Sequence, residues 1–450
     1  MVNVSVDFNE KVGKIKPMHA VNNGPVCKVG AINQGWNDSN NLNAFAAAGF
    51  PYARTHDSSY YFRYGNEHTV DVMAIFPNFD ADVNDPASYD FVCTDNYMQM
   101  IEMAGTKVFY RLGHRIEHEV KKYGTLPPKD FQKWAEICEH IIRHYTEGWA
   151  DGFYMDIQYW EIWNEPDLTP DDSDNKRTWG GTMVEFFEFY HVVATYLKGK
   201  FPHLKIGGPA VASKMPWVEA FLAQLKAPLD FFSWHIYGAT VEKVKARAAR
   251  MRELLDMNGF TETESILNEW NYVRGWETQP LRYSHQKQRE LKGAAFNLGV
   301  MTACQQGSVD MLMYYDARPC NWNGLFDEGA LDHCYKAYYA MYAFNELYKL
   351  GESVKADTVG ENGYALAACN GDEAAVTLCH YDDNDDADAQ TFNVELNGFG
   401  GEGGTELEIY LLDDTHDLTL TDKITFFGDR FAWEKELPVN TCYLLKLKKK

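Results

Sequence analysis

Residues 157–165 read IQYWEIWNE and are followed directly by Pro166. A short, nearly continuous run of apolar and aromatic residues is typical of a strand that is buried on both faces. Proline has no N–H to donate, so it cannot continue the hydrogen-bonded ladder, and the strand is expected to end there. The segment therefore predicts an interior strand of a parallel sheet that is covered by helices.

Seven further runs of this kind occur between about residues 15 and 348, and helical patterns separate them. The clearest helical pattern spans 130–147, where apolar residues recur on one face. Eight strands alternating with helices predict a (β/α)₈ TIM barrel over 15–349, with a doubly wound open sheet as the alternative. The eight runs are PMHAV (17–21), YARTH (52–56), KVFYRLG (107–113), IQYWEIWNE (157–165), LKIGG (204–208), FFSWHIY (231–237), SILNEW (265–270) and VDMLMYY (309–315). The other helical patterns lie at 182–200, 241–257, 285–305 and 333–348.

After about residue 350 the helical periodicity ends, and short β-like runs such as AAVTLCHY and LEIYLLD alternate with turn-rich linkers. This texture predicts an antiparallel β-sandwich domain over 350–450. The alternating run VNVSVDF, within residues 1–14, precedes the first barrel strand and is expected to join the sandwich. The acidic run DDNDDADA (382–389) is predicted to be a solvated loop.

Composition and charge restrict the classes of partner. The chain has 42 basic and 65 acidic residues and a formal charge of −23, which disfavours nucleic acid and anionic membranes as partners. No run reaches the roughly 18 apolar residues of a spanning helix, and the start has no apolar signal-peptide core. Nine scattered cysteines without a Cys-x-x-Cys pair favour reduced thiols and a cytoplasmic location. A leader that had already been removed would leave the same sequence.

Two glutamates end apolar strands at positions that suit paired-carboxylate chemistry. Glu165 ends the fourth predicted strand, and Glu269 lies near the end of the seventh. The carboxyl ends of barrel strands form the active site, and strands four and seven face each other across the mouth. Two carboxyl groups so placed can flank a glycosidic bond, at roughly 5–5.5 Å in a retaining enzyme and 6.5–9.5 Å in an inverting one. The sequence is compatible with either separation.

These motifs resemble those of glycoside hydrolases of clan A, and most closely family 39, whose founding activities are β-xylosidase and α-L-iduronidase. WEIWNEPD (160–167) is similar to the family's acid/base strand, and ILNEWN (266–271) fits its nucleophile strand. The resemblance extends over the barrel and the sandwich behind it. It implies a double-displacement hydrolase with Glu165 as general acid/base and Glu269 as nucleophile. No cofactor or metal ion is expected, because two carboxylates and water suffice for this chemistry.

The resemblance also implies the residues that surround the two glutamates. FFSWHIYG resembles the sixth strand, YARTHD the second and PMHAVNN the first. Tyr237 is expected to bind the nucleophile, Arg54 to support it, and Asn164 to contact the 2-hydroxyl of the sugar. The residues expected near the substrate are His19, Asn22, His56 and His235.

The expected chemistry follows from the proximity of two like charges. At ~5 Å and an effective dielectric constant of ~20, two carboxylates repel by ~3 kcal/mol, which corresponds to roughly two pKa units. An ionised Glu269 should therefore keep Glu165 protonated and ready to act as an acid. When Glu269 becomes a glycosyl ester its charge is lost, and Glu165 can then act as a base towards water.

Two other classes of function are compatible with parts of the sequence. HRIEH (114–118) matches the H-x-x-E-H pattern of a zinc peptidase family, but that pattern requires a helix, and here it follows an apolar strand directly. A barrel that binds carbohydrate without hydrolysing it would require the loss of one glutamate, and both are present. We therefore favour the hydrolase.

The predicted substrate is an oligosaccharide from which a single pentose is removed, with β-D-xyloside first and α-L-arabinofuranoside as the alternative. This choice follows from the resemblance and from the lack of an Arg/Lys cluster for a uronate carboxylate. Long loops at 57–93 and 166–181 should convert a cleft into a pocket, with Arg177 or Trp179 closing over the ring. Trp322 should form a wall where a hydroxymethyl group would otherwise sit. Family members are often oligomers, so a homo-oligomer is compatible with the resemblance.

Overall fold

A computed structural model describes residues 1–26, 40–57 and 68–450. Eight parallel strands close into a barrel and alternate with helices, as the sequence predicts. The loop 57–93 is described only in part, and its residues 58–67 lie outside the described ranges. The barrel strands are β2 (Ala20–Asn22), β3 (Tyr52–Thr55), β4 (Lys107–Leu112), β5 (Tyr159–Ile162), β6 (Lys205–Val211), β7 (Phe231–Gly238), β8 (Glu264–Tyr272) and β9 (Met311–Tyr314).

Two of the long helices begin at residues whose side chains cap their terminal backbone groups. Asp130 caps the predicted helix at 131–147 by accepting from the backbone N–H of Lys133, and Gly148 ends it in a left-handed conformation. Thr182 and Glu185 form a capping box at the next long helix. The helices are α1 (Leu42–Ala48), α2 (Val72–Ile75), α3 (Val92–Met103), α4 (Phe131–Glu147), α5 (Met183–Lys200), α6 (Met215–Gln224), α7 (Val241–Met257), α8 (Thr278–Lys287), α9 (Leu291–Gln305) and α10 (Lys336–Leu350). None of these described helices is both long and apolar enough to cross a membrane.

The C-terminal strands and the N-terminal strand form one nine-stranded sheet. In it β1 (Val2–Lys14) pairs antiparallel with the strand Glu352–Val359 and parallel with the strand Gln390–Asn397. The sheet curls over its own apolar core, so that rings from its two edge strands meet. The ring centroids of Phe426 and Phe431 lie 5.1 Å apart, and those of Trp433 and Tyr443 also lie 5.1 Å apart. The remaining strands are β10 (Glu352–Val359), β11 (Gly363–Asn370), β12 (Glu373–His380), β13 (Gln390–Asn397), β14 (Thr405–Leu412), β15 (Thr419–Phe426), β16 (Arg430–Leu437) and β17 (Cys442–Lys449).

The acidic run 382–389 is a loop in which most residues are exposed, as predicted, but its partly buried Asp383 also binds the barrel. Asp383 accepts hydrogen bonds from Tyr272 and Arg274 of the barrel, and Lys292 donates to its carbonyl oxygen. An acidic loop can bind to a domain when cations of that domain face it, and composition alone does not reveal where those cations lie.

An aromatic layer fills the amino-terminal half of the barrel interior. The rings of Phe109, Tyr159 and Phe231 are buried and pack with centroids 5.1–5.5 Å apart. This layer closes the bottom of the barrel, so polar side chains inside the barrel collect above it, at the carboxyl ends of the strands.

Candidate active site

Glu165 and Glu269 meet at the carboxyl end of the barrel. Glu165 lies three residues after the end of β5, and Glu269 lies within β8. An oxygen of each carboxyl group and a ring nitrogen of His235 all lie within 4.8 Å of one another. The side chains of Glu165 and Glu269 are 12% and 7% exposed, so both open narrowly to the mouth of the barrel.

The backbone turns sharply to present Glu165. Trp163 and Glu165 adopt left-handed conformations, with φ of 74° and 49°, which are uncommon for residues with a side chain. Hydrogen bonds hold the turn: Glu165 N–H donates to the carbonyl of Ala210 at 2.8 Å, and Thr178 Oγ1 donates to the carbonyl of Glu165 at 2.6 Å. Such strained residues persist where the surrounding structure fixes them, and they cluster at functional sites.

Asp167 holds the neighbouring loop in place. Its carboxyl group accepts backbone N–H bonds from Ala212 and Lys214 at 2.6 and 2.8 Å. Burial raises the pKa of Asp167 to about 7. The carbonyl that accepts from Glu165 N–H belongs to Ala210, near the end of β6 and two residues before this loop, so Asp167 helps to fix the position of the acid/base candidate through the backbone.

A β-bulge at Asn268 turns two consecutive side chains of β8 into the barrel. Trp234 pairs with Leu267 but His235 pairs with Glu269, which leaves Asn268 as the extra residue. In a regular strand consecutive side chains point to opposite faces. Here Asn268 donates to the buried carboxylate of Glu161, while Glu269 faces Arg54.

Arg54 is the centre of a buried polar network beneath the site. Its guanidinium donates to Glu161 at 2.6 Å, to Glu269 at 2.8 Å, to Asn164 at 2.7 Å and to Asn22 at 3.0 Å. Burial opposes its charge, but the two carboxylates outweigh burial and raise the pKa of Arg54. Because Arg54 uses the Oδ1 atom of Asn164, the Nδ2 group is the one that can donate to a sugar hydroxyl.

Tyr237 and His235 complete the contacts of Glu269. The Tyr237 hydroxyl donates to Oε2 of Glu269 at 2.9 Å, and burial raises its pKa well above the usual value, so it remains a donor. His235 Nδ1 lies 2.8 Å from Glu165 and 3.5 Å from Glu269. Burial lowers the pKa of His235 to about 4, so its ring is neutral at neutral pH.

Burial is the leading cause of the raised pKa of Glu165, while Arg54 and His56 oppose it. Repulsion from Glu269 was the expected cause of this shift, but burial is the cause that the structure shows, and burial favours the protonated form of Glu165. The site therefore contains one carboxyl group whose protonated form is favoured by burial, and a second, Glu269, that accepts hydrogen bonds from Arg54 and Tyr237.

His56 contacts both Glu269, the nucleophile candidate, and Asp57. Its Nε2 lies 3.5 Å from Glu269, and its Nδ1 lies 3.0 Å from Asp57. Burial opposes the charge of Asp57, but His56, His68 and Arg318 hold the pKa of that carboxyl well below its usual range. Asp57 thus orients the imidazole that faces Glu269.

An aromatic wall rises beside Tyr237. Trp322 and Trp276 lie 5.6 and 5.5 Å from its ring and 5.8 Å from each other. Tyr315 extends this wall towards His56. Trp276 is 60% exposed, so it stands at the rim with one face open to solvent. Aromatic faces of this kind can pack against the C–H faces of sugar rings.

Three residues that were predicted near the substrate lie elsewhere. His19 precedes β2 at the amino-terminal end of the barrel, where it is fully buried, bonds the carbonyl of Gly49 and packs against Phe344 and Tyr348. Asn22 is fully buried beneath the site and binds Arg54 and the carbonyl of Asn268. Trp179 is 3% exposed and packs on Trp163, so it cannot close over a ring.

The HRIEH segment forms no helix. Residues 114–118 are a loop, in which His114 faces Asp71 and Glu117 accepts backbone N–H bonds from Tyr123 and Gly124. The zinc-peptidase geometry, with both histidines on one helical face, is therefore not formed by this segment. In the part of the chain that the structure describes, one group of three metal-ligand residues is compact, namely Glu165, His235 and Glu269.

Several site residues were not predicted from the sequence. Glu161 and Asn268 are polar residues inside apolar strands, a signal that could have identified them as interior contacts. Asp57 lies next to a predicted site residue and at a strand end, which is also a readable signal. Trp276 and Tyr315 belong to loops, and only the folded chain shows that both pack against Trp322.

Comparisons with known proteins identify a family model and relatives that are similar to this chain. The model of Glycosyl hydrolases family 39 matches residues 2–272, which is more than half of the chain. A β-xylosidase of Caldicellulosiruptor saccharolyticus is 25% identical over 270 residues, covering 56% of this chain and 51% of its own. A β-xylosidase of Geobacillus stearothermophilus is 27% identical over 229 residues, covering 47% and 43%. The chain thus spans about half the length of these curated relatives.

A solved structure is similar over the whole chain. The crystal structure of a glucosidase from Croceicoccus marinus superposes with a TM-score of 0.81 at 23% identity and covers 100% of this chain and 99% of its own. At this identity the similarity establishes the fold, which includes the sheet behind the barrel.

Proposed function

The chain belongs to glycosyl hydrolases family 39, and from this membership and the site geometry we propose that it is a retaining exo-glycosidase. In this proposal Glu269 is the nucleophile and Glu165 is the general acid/base. The observation that carries the proposal is the separation of the two carboxyl groups, which have oxygens within 4.8 Å of each other. Carboxyl oxygens this close to each other favour the roughly 5–5.5 Å separation of retaining enzymes over the roughly 6.5–9.5 Å separation that admits a water molecule.

In the first step, Glu269 attacks the anomeric carbon while Glu165 transfers its proton to the glycosidic oxygen. The C–O bond to the leaving group breaks, a glycosyl ester of Glu269 forms, and the leaving group departs as a neutral alcohol. Arg54 and Tyr237 hold the attacking carboxylate in one orientation. The Nδ2 group of Asn164 can donate to the 2-hydroxyl, an interaction that strengthens as positive charge develops on the ring.

In the second step, the ionised Glu165 removes a proton from water, and the resulting oxygen attacks the anomeric carbon. The ester bond breaks, Glu269 is regenerated as a carboxylate, and the sugar leaves with its original configuration. Formation of the ester removes the charge of Glu269, and His235 Nδ1 at 2.8 Å can donate to Glu165 in its ionised form. The loss of that charge makes Glu165 easier to ionise, and the bond from His235 stabilises its ionised form, so both favour Glu165 as a base in this half of the reaction.

For the substrate, we propose a terminal β-D-xyloside. The two curated relatives carry the name β-xylosidase, which supports a pentose. Trp322 packs against Tyr237, the residue that binds the nucleophile, and a large ring there leaves little room for a hydroxymethyl group. Arg318 is paired with Asp57 and Asp316, which disfavours it as a site for a uronate carboxylate.

The proposal is tested with Glu269→Ala and aryl β-xyloside. We expect turnover to be abolished, and added azide to restore it partly by attacking the anomeric carbon from the vacated side, which gives an azide of inverted configuration. NMR of the anomeric proton in the first product of the wild-type enzyme should show retention. A variant that keeps more than about a tenth of wild-type activity without azide, or a wild-type product of inverted configuration, would contradict the mechanism.

A further inference from the structure

The acidic loop of the C-terminal sheet is bound to the segment that follows the nucleophile strand. Asp383 accepts from the hydroxyl of Tyr272 at 2.6 Å and from Arg274 at 3.0 Å, and Arg274 also donates to the carbonyl of Asp383. Tyr272 is the last residue of β8, three residues after Glu269. A single carboxylate of the sheet domain thus binds both the end of the nucleophile strand and the loop that leaves it.

A second set of contacts lies beside the first. Lys292 is almost fully buried and donates to the carbonyl of Asp383 at 2.6 Å, while its ammonium group pairs with Asp385 at 2.8 Å. Tyr283 donates to Asp385, and the guanidinium of Arg274 stacks over the Tyr283 ring at 4.0 Å. Burial opposes the charge of Asp385, but the bonds from Lys292 and Tyr283 lower its pKa. The loop is therefore fixed by charge-assisted bonds at two points.

We call residues 272–288 the bridge segment. Besides binding the acidic loop, this segment contacts the aromatic wall of the active site. Trp276 packs against Tyr237 and Trp322, and His285 lies 4.7 Å from the ring of Trp322. Trp276 is 60% exposed, so its own packing fixes it weakly. Its position consequently depends on how firmly the backbone two residues earlier, at Arg274, is held.

We propose that Asp383 is a positioning residue of the active site. By binding Arg274 and Tyr272 it holds the bridge segment so that Trp276 stands against Tyr237 and completes the aromatic wall for the sugar. The sheet domain then acts on substrate binding without contacting the substrate. This inference rests on the proposed function, because the wall is interpreted as a sugar-binding surface.

The test is a double-mutant cycle of Asp383→Ala and Trp276→Ala, with Asp388→Ala as the control. Asp388 is an exposed residue of the same acidic run, so this control changes the charge equally. All proteins are assayed on aryl β-xyloside and xylobiose below the unfolding temperature of the least stable one. Asp383→Ala is expected to raise KM roughly two- to ten-fold, as expected for the loss of one aromatic contact, with kcat within about two-fold.

The decisive result is the behaviour of the double variant. If Asp383 acts through Trp276, the double variant has the KM of Trp276→Ala alone, and Asp388→Ala has the KM of the wild type. Independent effects that multiply in the double variant, or an unchanged KM in Asp383→Ala, would overturn the inference. Should Asp383→Ala fail to fold, Asp383→Asn replaces it, because it keeps an acceptor for Tyr272 and removes the charge that binds Arg274.

A second readout does not depend on activity. Quenching of tryptophan fluorescence by acrylamide should increase in Asp383→Ala, and this increase should disappear in the Trp276→Ala background. A wild-type protein that hydrolyses no glycoside would contradict the proposed function, whereas the quenching cycle would still decide whether Asp383 positions Trp276. Equal quenching of the wild type and Asp383→Ala would contradict the positioning role.

Discussion

Replacing Glu165 with alanine should separate the two halves of the reaction. In the first half Glu165 supplies the proton for the leaving group, and burial raises its pKa so that it carries that proton. For a phenyl glycoside, whose phenolate is a poor leaving group, loss of this proton should slow glycosylation about 10²–10⁴-fold. Dinitrophenol is about as strong an acid as an ordinary glutamic acid, so its phenolate needs no proton and glycosylation should persist.

The second half of the reaction loses its base in the same variant. Deglycosylation should therefore slow on both substrates, also by about 10²–10⁴-fold. On dinitrophenyl xyloside the result is a burst of one phenolate per enzyme followed by slow turnover, which stopped-flow absorbance measures. Azide should accelerate the slow phase, because an anion that fits the space left by the carboxyl group needs no base, and the glycosyl azide should have retained configuration.

Glu165→Gln is the matched control, because its amide fills the same space beside His235. It should show the burst but little acceleration by azide. Equal losses on the phenyl and dinitrophenyl substrates, without a burst, would refute the assignment of Glu165. Formation of an inverted azide would refute the assignment of the two roles.

The ionisation of Glu165, the wall residue Trp322 and the buried His19 each allow a further test. The value of kcat/KM on phenyl xyloside should fall on the alkaline side as Glu165 ionises, at a pH above the ordinary glutamate value because its pKa is raised. This limb should be absent for Glu165→Gln on the same substrate, and a limb that persists would assign it to another group. Trp322→Ala should increase the ratio of kcat/KM for β-glucoside over β-xyloside about ten-fold or more, and an unchanged ratio would exclude Trp322 as the wall. His19→Ala should lower the free energy of unfolding by about 1–3 kcal/mol in urea denaturation and leave KM unchanged, because His19 is buried away from the site; a raised KM would restore it to the site.

The barrel and the two glutamates could be predicted because they depend on local patterns. IQYWEIWNE and SILNEW are apolar runs that end in carboxylates, and the order of eight such runs determines which strands face each other in a closed barrel. The side chains that surround Glu269 came from the family resemblance, and the structure brings Arg54, Tyr237 and His235 to it. His19 was misplaced because a polar residue beside a strand has the same appearance at either end of it.

Only the tertiary structure decided the features that depend on contacts between distant residues. The bulge at Asn268 adds one residue to β8 relative to both neighbouring strands, and a pattern within one strand does not reveal the register of its neighbours. The acidic run is a largely exposed loop, as its local charges indicate, but its contact with the barrel could not be predicted, because Arg274 and Lys292 lie 109 and 91 residues from Asp383 along the chain. Sequence periodicity records which face of an element is buried, and the closure of the barrel and the docking of the sheet determine which side chains meet.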